Sequence, residues 1–473
     1  MYSLIISIVI LIIGYFIYGK FIARYVGVDD NIKTPAITHN DGVDYVPINK
    51  KRLILIHFLN IAGLGPILGA IQGVLFGPIA FVWIVLGTIF AGGVHDFISG
   101  HISIKHKGKS IPELVGFYLG KYARIIVLIL LTFIIVFSGS AFTISSANLL
   151  TSKIGIPIII LIIVMFIYYI LATLLPIDKV IGRIYPIFGA ILIIMAAGIF
   201  ISLLVNGYQL PKINSNILSM NISPYSIFPY LFVTISCGAI SGAHSTQTPL
   251  AARCIEKETD MRLVFYGAMV AEGILALIWA AAAMVFINGQ PDVGMFFYQN
   301  PTIAVDKISI ELLGTIGGLL AIIGVVICPI TTSDTLFRSM RLNIADYFNI
   351  KQDKISSRLL IVLPFFIISF ILCFVDFNIV WRYCIWINQI LAEIILILAT
   401  RYLIMKKKNY LIAAIPGCFM TMVVIAYILQ AKEGLQLDGY ISNIIGVVLG
   451  IVLMIFLIYY FKRNKITKNE IAI

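Results

Sequence analysis

The chain reads as long apolar runs separated by short polar segments that carry most of its charge. Runs of about 20 apolar residues, enough to cross a bilayer as a helix, fall near residues 2–19, 53–76, 79–100, 125–149, 155–175, 184–205 and 228–251. Six more fall near 263–288, 311–337, 359–375, 379–400, 410–430 and 440–461. The pattern predicts an all-α polytopic membrane protein with thirteen transmembrane helices.

Two of these runs are interrupted. Ile235–Leu250 reads ISCGAISGAHSTQTPL, and its glycines, histidine, glutamine and proline are at odds with a uniform lipid-facing helix. Near the middle of 53–76, the stretch NIAGLGPILGA gathers Gly63, Gly65, Pro66 and Gly69, too much glycine and proline for an unbroken helix. The second break comes five spans after the first, which makes the two broken helices antiparallel. Such a pair, in corresponding positions of oppositely oriented halves, is the sequence mark of a transporter built from inverted repeats. The predicted halves are five-helix units at 53–205 and 228–402, joined by an external loop at 206–227. A leading helix and cytoplasmic loop, 1–52, precede them, and two further helices with a basic tail, 403–473, follow. The external loops 206–227 and 289–310 have the mixed polarity of a short surface helix or a lid.

Composition narrows the class. A hydrophobic content of 60%, 12% charged residues and a mean hydropathy of +1.02 exclude a soluble globular protein. The net charge of +12 does not point to nucleic acid: with the N-terminus outside, 29 of the 34 Lys and Arg fall in loops on the cytoplasmic side. Lys20 and Arg24 follow the first apolar run instead of preceding it, which predicts a retained helix, an external N-terminus and a cytoplasmic C-terminus. The six cysteines show no CxxC spacing, so neither a disulfide framework nor a zinc site follows.

The stretches NIAGLGPILGA, AGGVHDFISG, ISCGAISGAHSTQTPLAARC, VFYGAMVAEGILALIWAAA, PITTSDTLFRSMRLNIADYF and WRYCIWINQ run in that order between residues 60 and 389. Through them the chain resembles the carbon starvation protein A family of peptide and pyruvate transporters. The resemblance implies a LeuT-like core and uptake of small carbon sources across the cytoplasmic membrane.

Half-helices starting near Pro66 and Gly242 would present free N–H groups at mid-membrane, positive dipole ends suited to a carboxylate. The substrate candidates are therefore Gly63, Gly65, Gln72, Ser241, His244 and Gln247. For Gln72 the competing role is a hydrogen bond between helices, and for His244 it is a structural histidine. Intramembrane carboxylates are costly, which makes Glu272, on one face with Ala268, Ala271 and Ala276, and Asp96, behind Gly92 and Gly93, candidates for proton coupling or for structural bonds. Thr331, Thr332, Ser333 and Asp334 cluster oxygen donors suited to sodium, or a carboxylate suited to a proton. The resemblance implies an ion site between the first and eighth core helices, the second of which holds this segment. Its competing role is an N-cap that restarts the helix after Pro329.

Arg338 and Arg341 read as anchors at a cytoplasmic helix end, and Trp381 and Trp386 as interfacial or packing aromatics. His57, His95 and His101 raise the question of a metal site. Yet His95 and His101 lie about 120° apart around a helix, and no HExxH is present, so no metal is expected. Ser245 sits in no GxSxG elbow, so no catalytic role is expected of it. The expectation is a secondary importer of small carboxylate-bearing nutrients that needs no cofactor beyond a coupling H+ or Na+. A membrane sensor that binds the same ligand without moving it is the alternative.

Overall fold

The computed structural model describes residues 1–174, 177–352 and 354–464, without the side chains of 174–184, 316, 320, 321 and 323. Its regular structure is helical, apart from one isolated bridge between Ile48 and Ile255. In chain order the helices are α1 (Tyr2–Val26), α2 (Lys50–Ala62), α3 (Gly65–Phe76), α4 (Ile79–Lys105), α5 (Ile111–Leu119) and α6 (Lys121–Ile154). Then come α7 (Ile158–Leu174), α8 (Ile177–Val205), α9 (Ile227–Thr234), α10 (His244–Ala252), α11 (Glu258–Ile287) and α12 (Pro291–Gln299). The series ends with α13 (Pro301–Phe348), α14 (Ile355–Leu372), α15 (Phe377–Met405), α16 (Leu411–Gln430) and α17 (Gly439–Arg463).

Among the described residues, ten helices are long and apolar enough to cross a membrane, and the bent pair α2 and α3 makes eleven. The protein is a multi-pass membrane protein. The other two predicted spans are α7, whose apolar part Ile158–Thr173 is shorter, and the interrupted pair α9 and α10. Burial separates core from periphery: 83% of the apolar window of α4 is enclosed, against 28% for α1 and 22% for α17.

Both predicted breaks are present. α2 stops at Ala62 because Gly63 takes φ 48°, ψ −136°, a conformation that L side chains avoid. Pro66 then sits in the first turn of α3, where its missing N–H is no loss, and the two halves meet at 56°. α9 ends at Thr234, the chain passes Gly238 at φ 86°, and α10 begins at His244, two residues later than expected from Gly242.

The span expected at 311–337 is different. α13 breaks at Gly314 (φ 68°, ψ −174°), and its apolar part runs unbroken over Gly317–Phe348 through Pro329. The helix therefore does not restart with an N-cap at Thr331. The hydroxyls of Thr331 and Thr332 turn back instead and donate to the carbonyls of Ile327 and Cys328 at 2.8–3.0 Å. As a consequence Arg338 and Arg341 lie inside the helix, fully buried, and not at an exposed end.

Their partner is Asp44, from the polar segment between α1 and α2. Its carboxylate lies 3.3 Å from Arg338 Nη1 and 3.1 Å from Arg341 Nη2. The same segment is laced to the α10–α11 turn: Thr34 donates to the Ile255 carbonyl at 2.6 Å, and the Asp29 N–H donates to Glu258 at 3.0 Å. Burial alone would raise Asp44, but Arg341, Arg338 and Arg253 outweigh it and hold the carboxyl below the usual aspartate range. A depressed folded-state pKa stabilises above the ordinary value of about 3.9 and is lost as pH falls through the lower folded value. Asp44→Asn should remove the charged partner of two buried guanidinium groups at a cost of about 3–5 kcal/mol. Thermal unfolding of the purified variant at neutral pH checks this; an unchanged midpoint would show that the pair contributes nothing.

Candidate functional site

The two breaks pack directly on each other. Gly65 has no side chain where one would collide: a Cβ there would lie 2.2 Å from the Cβ of Cys237. The backbone groups freed by the breaks find partners, as they must at membrane depth. Trp83 Nε1 donates to the Ile235 carbonyl at 2.9 Å and Thr88 to the Gly238 carbonyl at 2.8 Å. On the first break, Thr332 donates to the Leu59 carbonyl at 3.1 Å and Cys328 Sγ to the Gly63 carbonyl at 3.3 Å.

Between the breaks lies a central cavity of about 30 Å³, room for a water or two. Gly65, at the start of α3, and Ala243 and His244, at the start of α10, line it together with Gln247 and Thr332. The positive ends of both half-helices thus converge on one space. On one side a vestibule of about 450 Å³ adjoins it, and Trp381 and Ile385 line both. Trp381 is buried and donates to Gln72 Oε1 at 2.9 Å, while Gln72 Nε2 donates to the Tyr298 carbonyl in α12 at 2.8 Å. Gln72 therefore lines the vestibule, in the interhelical hydrogen bond that was its competing role. Trp381 is a partition between the two spaces and not an interfacial aromatic.

Behind the cavity His244 joins a wholly buried chain of titratable side chains. Its Nδ1 is 2.9 Å from Asp96 Oδ2, and Asp96 Oδ1 is 2.7 Å from His95 Nδ1. On the other side, Glu272 Oε2 stands 3.2 Å from His244 Nε2, within ion-pair distance but off the line of a hydrogen bond. Asp96 thus bridges the Nδ1 atoms of two histidine rings. Between His244 Nε2 and Glu272, by contrast, no hydrogen bond fixes the contact.

The sequence assigned Asp96 and Glu272 to coupling and His244 to substrate; the fold joins all three. The remaining candidates divide. Ser241 is not on the cavity wall and donates to Asn388 Oδ1 at 3.1 Å. Gly63 shapes the break. Asp334 accepts from the Tyr185 hydroxyl, which lies 3.2 Å from that of Tyr168, away from Thr332's contact with α2. Ser333 is buried beside it. The three histidines are apart in their contacts: His57 packs edge-on to Phe265, His95 meets Asp96, and His101 meets Tyr402 at 3.0 Å. Among the described residues no group of three or more His, Cys, Asp or Glu could hold a metal.

Asn388 had no local signal beyond the WRYCIWINQ stretch. It lines the cavity and fixes the second break, accepting from Ser241 and, at 2.7 Å, from the Ala243 N–H. Asn388→Ala should leave both donors unpaired at about 1–3 kcal/mol each. The expected readouts are a lower melting midpoint and weaker binding of labelled substrate; wild-type binding would remove Asn388 from the site.

Residues 1–164 and 144–310 match the sequence model of the family described as Carbon starvation protein CstA. The chain belongs to that family. Among relatives of this CstA-family chain, an uncharacterized membrane protein of Haemophilus influenzae is 40% identical over 63% of the chain and 92% of the relative. The peptide transporter CstA of Campylobacter jejuni is 29% identical, covering 61% of the chain and 50% of the relative. The pyruvate/proton symporter BtsT of Escherichia coli is 27% identical, covering 66% and 52%. The chain thus spans about half the length of these named transporters. In fold it is similar to a Na+-coupled sialic acid symporter in a substrate-bound outward-open state, with a TM-score of 0.56 at 15% identity over 97% of the chain and 99% of the symporter.

Proposed function

We propose that this CstA-family chain is a secondary active importer of small carboxylate-bearing nutrients, driven by protons, with the central cavity as its substrate site. The observation that carries the proposal is His244, which lines the cavity and stands with Nδ1 2.9 Å from Asp96 and Nε2 3.2 Å from Glu272. A carboxylate drawn to the starts of α3 and α10 would approach His244 and bias whether a coupling proton sits on His244 or on Glu272. Substrate and proton binding are thereby linked without direct contact between cargo and carboxylate.

The core is taken as two inverted five-helix units, with α2/α3 opening the first and α9/α10 the second, in a thirteen-span protein. The vestibule carries Arg382, Lys432 and Glu433 on the predicted external side, and the Asp44 cluster closes the opposite, cytoplasmic side. Relatives named as peptide and pyruvate transporters support a small organic acid or peptide as cargo.

A sodium-driven reading rests on a separate observation: the Leu59 and Gly63 carbonyls and the Thr332 hydroxyl gather between the first broken helix and α13. Oxygen donors of this kind suit a hard cation. Uptake of labelled pyruvate and of a labelled dipeptide into sealed proteoliposomes tests the function itself. Saturable accumulation of either is expected; binding to the purified protein without accumulation would make it a sensor.

A further inference from the structure

A second concave site lies on the face opposite the vestibule. Two helix ends far apart in sequence, the turn after α4 and the turn after α15, meet there around a pocket of about 720 Å³. The first supplies Lys105, Lys107 and Lys109, and the second Lys406 and Lys408. Lys105 is paired, with its Nζ 2.6 Å from Glu258. Among the described residues, no carboxylate lies within ion-pair distance of Lys107, Lys109, Lys406 or Lys408. Lys408 donates to the carbonyls of Tyr25 and Val26 at 2.5 and 2.9 Å, so α1 closes one wall while the charge stays uncompensated.

The walls are built for a polar guest. Tyr118 and Tyr402 line the pocket, and their hydroxyls meet His106 Nε2 at 2.8 Å and His101 Nε2 at 3.0 Å. His101 is buried, and its Nδ1 has no partner among the described residues. Burial, followed by Lys109 and Lys406, pushes His106 down to about 4, which makes its ring neutral at pH 7 and leaves anion attraction to the lysines. Lys107 holds φ 60°, a left-handed turn where glycine or asparagine would be less strained. Basic loops on the inner side of a membrane ordinarily splay into water; here they converge.

We propose that this pocket binds a phosphate-bearing anion, which bridges the ends of α4 and α15. Its chemistry suits an anionic lipid headgroup, because α1 forms one wall and carries Lys20 and Arg24 nearby on its own surface. The same chemistry suits a soluble phosphate or diphosphate. A bound anion would clamp two helices that also carry Asp96 and Asn388 of the central site.

The test is thermal unfolding of the full chain in neutral detergent, with phosphatidylglycerol compared against phosphatidylcholine, and inorganic pyrophosphate against chloride at equal ionic strength. Phosphatidylglycerol, pyrophosphate or both should raise the midpoint by several degrees. A shift with phosphatidylglycerol alone assigns a lipid headgroup, and a shift with pyrophosphate assigns a soluble phosphate. The triple variant Lys107→Gln/Lys109→Gln/Lys406→Gln should lose most of the shift, while Lys51→Gln/Lys351→Gln/Lys354→Gln, with the same change in charge at exposed positions, should keep it. If the first triple variant fails to fold, Lys406→Gln alone, at an exposed position, should reduce the shift. No shift in the wild type, or equal loss in both triple variants, overturns the site.

Discussion

Replacing Glu272 by glutamine abolishes gradient-driven accumulation of substrate while leaving exchange of substrate across the membrane in place. The side chain keeps its shape but can no longer trade a proton with His244 Nε2, 3.2 Å away. On its other side the ring stands with Nδ1 2.9 Å from Asp96, so the proton exchange proposed here runs through Nε2. Accumulation under an inward proton gradient should fall at least about tenfold, the equivalent of about 1.4 kcal/mol. Counterflow of labelled substrate against an internal unlabelled pool should persist. Loss of both activities together would mean that Glu272 is structural; retention of both would remove it from coupling.

The second large effect lies at the contact of the two breaks. Gly65→Ala places a methyl 2.2 Å from Cys237 Cβ and 2.3 Å from its Sγ, a clash at the root of a side chain that cannot swing away. Overpacking of this kind costs about 1–3 kcal/mol or more, and here it also wedges apart the half-helix ends that form the site. Substrate binding should be lost. Removing the opposing side chain in Gly65→Ala/Cys237→Gly should restore much of it. Binding that is normal in the single variant, or equally absent in the double, would show that close approach of the breaks is not what makes the site.

Much of this fold is written locally. Apolar runs of membrane length and the punctuation by Gly63, Pro66 and Gly238 identify helices and breaks without reference to the rest of the chain, because bilayer thickness and backbone geometry act over a few residues. Chemistry was legible residue by residue but not as an assembly. Asp96, His244 and Glu272 each stood out as polar groups in apolar surroundings, yet 148 positions separate Asp96 from His244, and no periodicity in either helix announces that they meet. The competing N-cap reading of the Thr331–Asp334 segment failed for a related reason. Its hydroxyls suggested a helix start after Pro329, but Thr331 and Thr332 satisfy carbonyls of their own helix and let it continue. Arg338 and Arg341 looked like surface anchors because their partner Asp44 lies nearly 300 residues earlier, in a loop whose docking is a tertiary event.

The central claim, proton-driven uptake through the cavity between the two breaks, is tested most directly by labelled pyruvate uptake into sodium-free proteoliposomes under an imposed inward proton gradient. The account predicts accumulation above equilibrium that collapses when a protonophore is added. Accumulation that appears only with an inward sodium gradient, and is indifferent to the protonophore, would contradict it.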